Sequence, residues 1–530
     1  MKISLVCHFN RLRFLCLAGV LVFLMTNCAS EAVPAGKPIP TSPPLPPTNA
    51  PQTPSTPSGE DAIKTPSAPI ALTPEPEILP AQTLQPAEEK GMLAYLTQSG
   101  DTIEAVAKRF GVDVKEITSP EVIPTHVFLN PDQSLNIPDK LDESSLSLNQ
   151  KFLPDSEVIF SETAAGFDVS AFLQPSGGYL SGYSQLLGDG WYRGDDIVNR
   201  ISLNESINPR LLLALLEFQG HWISREPMTQ EEANYPFGYV DYDRSELFNQ
   251  MSWAAEQLST GYYGWRTGKI TELIFPDGGH LRLAPDLNAG SVSLMFFFSR
   301  LYNYPDWYRR LYAQDNFLTL YAGLFGDYWG RAAALGPLIP GGLKQPDLIF
   351  PMSFSNPWNF TGGPHAAWGD EGALAAVDFA PSGIDGCSQS ADWVISASAG
   401  KVAREWNGLV VVDLDMDGDE HTGWNLIYQH VAKVIIEENS NLGRVDVGTL
   451  VKPGDFIGYP SCAGGFSSGT HVHFARRYNG EWMLANGAIP MVLSGWTVQA
   501  GDAVYQGKLV KDGQMITSNQ FGMAESLIIQ

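Results

Sequence analysis

The chain has 530 residues, 44% of them hydrophobic and 11% aromatic, so it is too long for one core and too apolar to be disordered throughout. Its 58 acidic residues against 33 basic ones leave a formal net charge of −25. That balance excludes a nucleic-acid partner, which selects a basic face.

The first 28 residues read as an export signal. Lys2, Arg11 and Arg13 form a basic start, and the almost wholly apolar run from Phe14 to Met25 is too short for a membrane-spanning helix of ~20 residues. Leu24-Met25-Thr26-Asn27-Cys28 follows, and it resembles a bacterial lipobox with Asn27 where a small residue is usual. The resemblance implies a lipoprotein whose lipid on Cys28 would attach the chain to a membrane. Without it, the chain is expected in the cell envelope or outside the cell. Cys7 and Cys16 leave with the signal. Cys387 and Cys462 remain as an even pair in an oxidising compartment, read as a disulfide, with two free buried thiols as the alternative.

Residues 29–92 are a linker whose Pro, Thr, Ser and Ala tract cannot bury enough apolar surface to fold. It is expected to be an extended, semi-rigid spacer. Residues 93–139 are a compact unit. Tyr95 to Leu96 reads as a strand, Asp101 or Thr102 as a helix cap, Ile103, Val106, Ala107 and Phe110 as the helix's buried face, and Gly111 as its stop. Ser134 to Pro138 is a second strand. The pattern Tyr95-x-x-x-Ser99-Gly100-Asp101-Thr102-Ile103 with Gln133-x-Leu135-x-Ile137-Pro138 resembles a LysM domain, of βααβ order. Asp132 departs from the Gly usual before the Gln. The resemblance implies binding to N-acetylglucosamine-containing glycan, including peptidoglycan.

After a linker at 140–157, residues 158–345 read as a mainly helical domain. Pro209 to Glu217 is a strong helix with Pro in its first turn. The stretch from Ile207 to Gly220 resembles the helix of lysozyme-like lytic transglycosylases, but Gln219 stands where their catalytic Glu lies. An amide cannot act as a general acid, so this domain is read as non-catalytic.

From 346 to 505 the composition turns to short strands and Gly-rich turns, the pattern of an antiparallel β domain. A tail is expected at 506–530. His471 and His473 are two apart in a strand-like run, so both aim from one face. A hydrolytic zinc site needs three protein ligands and one open position. Asp378 in another strand-like run and His365 in a tight Gly362-Gly363-Pro364-His365 loop are candidates for the rest.

On these residues the segment is similar to the lysostaphin and beta-lytic zinc metallopeptidases. Gly469-Thr470-His471-Val472-His473-Phe474, Tyr428-Gln429-His430 and Val451-Lys452-Pro453-Gly454-Asp455-Phe456-Ile457-Gly458 match that family's motifs. Leu374 stands where the lysostaphin-type His-x-x-x-Asp pattern has its His, whereas the Gly-Gly-x-His loop thirteen residues before Asp378 fits the beta-lytic branch. The resemblance implies that His365, Asp378 and His473 bind one Zn²⁺, with His430 and His471 as catalytic residues. It implies a peptidoglycan endopeptidase acting on stems or cross-bridges. The alternative is a degenerate peptidase acting as a wall-binding protein or amidase activator. Asp413, Asp415 and Asp417 are similar to the start of a calcium loop, but Trp424 stands where the bidentate Glu belongs, so a polar hairpin competes with a Ca²⁺ site. His421 in that hairpin is expected to be exposed.

Overall fold

A computed structural model describes residues 85–86, 91–227, 229–433 and 445–529. The segment read as an export signal, Cys28 and nearly all of the segment read as a spacer lie outside the described residues. Among those described, no helix is long and apolar enough to cross a membrane.

The LysM unit pairs β1 (Met92–Leu96) antiparallel with β2 (Ser134–Pro138), around α1 (Ile103–Phe110). Thr102, not Asp101, caps the helix by accepting the Ala105 N–H at 3.2 Å. Asp101 instead accepts the Tyr95 hydroxyl at 2.6 Å and pairs with the buried Arg109. Gly111 takes the left-handed conformation that closes the helix. The second helix of the expected order is a single 3-10 turn, Val114–Glu116. Only three residues are available, because Ile117 enters the core and Thr118 already pairs with Asn136.

The next domain is mainly helical and includes two short hairpins. Its centre is built from α2 (Gly194–Glu205), α3 (Pro209–Gly220), α4 (Glu246–Arg266) and α5 (Ala289–Leu301). Asn208 caps α3 by accepting the Arg210 N–H, with Pro209 in the first turn as expected. The domain begins earlier than its sequence boundary. Phe152 and Leu153, read as linker, are fully buried in its core. Gln219 is spent on structure: its amide donates to the Phe237 carbonyl at 3.0 Å and to Tyr302 at 2.9 Å.

The last domain is organised on a nine-stranded sheet. Its strands include β3 (Trp358–His365), β4 (Ala376–Pro381), β5 (Gly400–Trp406), β6 (Leu409–Asp413), β7 (Trp424–Gln429) and β8 (Val472–Tyr478). They run β5-β6-β7-β8-β4-β3, every neighbour antiparallel. Strand periodicity sorts the side chains onto two buried faces. Val410, Val412, Leu426, Tyr428 and Phe474 fill the domain's own core. Their neighbours Leu409, Val411, Ile427 and Ala475 pack into the core of the helical domain.

Polar groups close the same interface. Glu481 accepts from Tyr262 at 2.9 Å and pairs with Arg266 at 3.1 Å, and Arg477 donates to the Leu203 and Asn204 carbonyls. His421 is half-buried rather than exposed, stacked on Phe160 of the helical domain at 4.1 Å. Residues 506–530, read as a tail, carry Gly507–Lys511 and Gln514–Thr517 of a four-stranded sheet. Leu527–Ile528 then pairs with β3. Leu509 and Ile528 are buried there, which ties this segment into the domain.

Candidate metal centre

The two glycines before His365 have separate tasks. A Cβ at Gly362 would lie 2.5 Å from Asp378 Oδ2, so glycine leaves room for that carboxylate. A Cβ at Gly363 would strike the backbone of Gln506 and Gly507, and the Gly363 N–H donates to the Tyr505 carbonyl at 2.7 Å. His365 is the last residue of β3 rather than part of a loop, and two register shifts against β4 re-aim it. Asp378 and His473 are directly opposed across β4 and β8. By period two they share the sheet face of Ala376 and Ala475, the face that meets the helical domain.

His365, Asp378 and His473 are all buried, and one ligand atom from each lies within 4.8 Å of the other two. His365 Nε2 is 3.0 Å from His473 Nδ1 and 3.3 Å from Asp378 Oδ1. His473 Nδ1 is also 3.3 Å from Asp378 Oδ1. The outer nitrogens decide the chemistry. His365 Nδ1 faces the Gly363 carbonyl at 2.8 Å, and His473 Nε2 faces the Ala367 carbonyl at 3.1 Å. A carbonyl can only accept, so each outer nitrogen carries the proton and each inner nitrogen presents a lone pair. Asp378 Oδ1 is buried without a hydrogen-bond partner. Three acceptors converging on one point with no donor among them fit a cation.

The ionisation of each group follows from burial and from its neighbours. Burial opposes a charge on Asp378, but His365 and His471 beside it hold its carboxyl well below the usual range. Burial likewise disfavours a charged His365, yet Asp378 raises it above its ordinary value. Burial lowers His473.

His430 and His471 stand beside these three, their rings 4.5 Å apart. His430 Nδ1–H donates to the Ala463 carbonyl at 2.8 Å, and His471 Nδ1–H to the Gly469 carbonyl at 2.7 Å. Both therefore leave Nε2 as a free lone pair. His471 Nε2 is 3.7 Å from Asp378 Oδ1. Burial and the neighbouring His471 and His473 push His430 down to about 3. A disulfide joins Cys387 to Cys462, beside the Ala463 that holds His430.

Tyr505 stacks on His365, ring centroids 4.2 Å apart, and was not visible in the sequence because it lies at the margin of the supposed tail. Asp413, Asp415 and Asp417 also converge within 4.8 Å. There, however, the Asp413 carboxylate already accepts the Gly418 N–H at 2.7 Å and the Asp415 N–H at 3.2 Å, closing the hairpin.

Comparison with known proteins places these regions. Residues 95–138 match the LysM domain, and residues 151–336 match the family described as LasA, N-terminal domain. The beta-lytic metalloendopeptidase of Achromobacter lyticus is 28% identical over 193 residues, 35% of this chain and 46% of that protein. The beta-lytic metalloendopeptidase of Lysobacter enzymogenes is 26% identical over 183 residues, 33% of this chain and 92% of that one. The chain thus spans about half the length of the first of these relatives. Among solved structures, the deep-sea M23 metalloprotease pseudoalterin is 24% identical, with a TM-score of 0.26, covering 34% of this chain and 96% of its own. Helicobacter pylori Csd3 is 20% identical with a TM-score of 0.16, covering 25% of this chain and 30% of its own. The chain thus joins a LysM domain and a region matching the LasA N-terminal domain to sequence that is similar to the beta-lytic metalloendopeptidases.

Proposed function

We propose that this chain is an exported, zinc-dependent endopeptidase that hydrolyses peptide bonds of peptidoglycan stems or cross-bridges and is brought to the wall by glycan binding of its LysM domain. The observation that carries the reading is the convergence of His365 Nε2, His473 Nδ1 and the unpartnered Asp378 Oδ1, with both outer imidazole nitrogens held by carbonyls. His365, Asp378 and His473 would hold the zinc. Bound there, it would supply Lewis acidity, lowering the pKa of water toward ~7 and polarising the scissile carbonyl.

The remaining work falls to His471 and His430. Each offers Nε2 as a proton acceptor, its Nδ1–H being tied to a carbonyl. His471 is the less buried of the two, and its Nε2 lies 3.7 Å from Asp378 Oδ1 at the edge of the ligand cluster, so it is assigned as general base. His430 is a weak base in its buried setting. Its role is to share the proton work with His471 or, once it has taken up a proton, to donate from Nε2 to the developing oxyanion. Export to the envelope or beyond it, and a lipid on Cys28, belong to the same reading.

The test uses the full chain, because Leu409, Val411, Ile427 and Ala475 of the β domain's sheet are buried in the helical domain's core. Metal content and hydrolysis of purified peptidoglycan are measured for wild type and His473→Ala, with and without a chelator. The expected result is about one zinc per chain and release of new amino termini, both lost in the variant and with the chelator. No metal and no hydrolysis would sink the enzyme and leave a wall-binding protein or amidase activator.

A further inference from the structure

The helical domain reaches the metal centre through the 366–373 loop, which joins His365 to β4. The Ala367 carbonyl is the group that holds the His473 Nε2–H at 3.1 Å. Yet Ala367 is not part of the β domain's core. Together with Ala373, Ala375 and Ala376 it is buried in the core of the helical domain. The loop closes on itself through an Ala367 N–H to Ala373 carbonyl hydrogen bond of 2.8 Å.

Its tip is pressed against α4. A Cβ at Gly369, where φ is +66°, would lie 2.9 Å from Glu256 Oε1, and one at Gly372, where φ is +98°, would lie 2.3 Å from Ser259 Oγ. The Glu256 carboxylate is buried against this tip. Arg244 completes the clamp, 3.4 Å from Glu256 Oε2 and 3.9 Å from Asp370 Oδ2.

We infer that Glu256 is a positioning residue of the metal centre: with Arg244 it pins the 366–373 loop so that the Ala367 carbonyl selects the His473 tautomer whose Nδ1 is free to bind a metal. The helical domain is then a working part of the site. An imidazole released from its carbonyl can place the proton on Nδ1 instead and lose its donor atom. Loss of such an outer hydrogen bond costs ~10–100-fold in metal affinity. The inference rests on the reading of His365, Asp378 and His473 as ligands.

The experiment measures zinc affinity of the full chain by competition with a chromophoric chelator, and the protonation of His473 by imidazole nitrogen NMR in the metal-free protein. Glu256→Ala should weaken zinc ~10–100-fold and shift His473 toward the Nδ1–H form. Glu256→Gln keeps the side chain's shape and an oxygen toward Arg244 but loses the charge, so it should lose no more affinity than Arg244→Met and far less than Glu256→Ala. Arg244→Met, at a partly exposed position, should show a smaller loss in the same direction and carries the test should Glu256→Ala fail to fold. Wild-type affinity in both Glu256→Ala and Arg244→Met overturns the inference, as do equal losses in Glu256→Ala and Glu256→Gln with the His473 tautomer unchanged. A wild-type chain that binds no zinc overturns the metal-centre reading itself.

Discussion

Two groups of acidic and histidine side chains in the β domain each bring three ligand atoms within 4.8 Å, and they are built in opposite ways. At His365 and His473 the backbone takes the outward-facing nitrogens, and Asp378 Oδ1 between them is left without a donor. At Asp413, Asp415 and Asp417 the backbone takes the inward capacity itself, through Asp415 and Gly418 N–H groups. The acids also differ in charge. Asp378 is held well below its usual range, whereas burial and the adjoining Asp415 push Asp413 up to about 7, so it retains a share of its proton near neutrality. Convergence alone therefore does not make a metal site. What decides is where the remaining hydrogen-bonding capacity goes.

The comparison breaks most sharply under parallel substitutions. Asp378→Ala should abolish bound metal and bring hydrolysis of purified peptidoglycan to background, with metal content and released amino termini as the readouts. Retained metal would mean that the two histidines are not waiting for that carboxylate.

Acid should act next. Because burial depresses His430 in the folded state, its neutral form is the one that stabilises the fold. That contribution is complete above the unfolded pKa of about 6.5 and is lost as pH falls from there toward about 3. Denaturation curves across this window should lose up to several kcal/mol, since each tenfold drop in proton affinity on folding is worth ~1.4 kcal/mol. A His430→Gln variant should show a flatter dependence, and equal slopes would remove His430 as the cause.

Opening the disulfide is expected to cost somewhat less. Its ends are 75 residues apart, and chain-entropy reasoning sets an upper figure of ~4.5 kcal/mol. The paired Cys387→Ser, Cys462→Ser chain should melt earlier. Its catalytic rate should suffer more than its metal content, since the bridge adjoins the loop that holds His430. The smallest effect belongs to the second cluster. Asp417→Asn, at an exposed position, should shift stability by no more than ~0.5 kcal/mol and leave metal stoichiometry unchanged. A second bound metal lost in that variant would reverse the contrast.

The histidines and the carboxylate were legible because strand periodicity and glycine spacing are local signals. His471 and His473 had to share a face, and the Gly-Gly-x-His pattern of the family resemblance pointed to His365 and Asp378. The carbonyls of Gly363, Ala367, Ala463 and Gly469 were not legible, since every residue carries one and only the fold says which is aimed at an imidazole. The same limit hid the interface. Leu409 to Val412 reads as one continuous apolar run, and nothing in it says that alternate residues enter different cores. The closing strands were missed because Gly507–Lys511 carries one fully buried leucine, too little pattern to separate from a tail.

A sheet whose alternate residues belong to two different cores also sets an order of assembly. Strands β6, β7 and β8 cannot bury Leu409, Val411, Ile427 and Ala475 until the helices that receive them are in place. Those helices precede the strands in the chain, so a ribosome working at ~5–20 residues per second delivers the receiving surface seconds before the strands that need it. In that order of synthesis the helical segment is a template on which the β domain is laid down, and a chain rearranged to place it last would leave the sheet waiting with one greasy side to water.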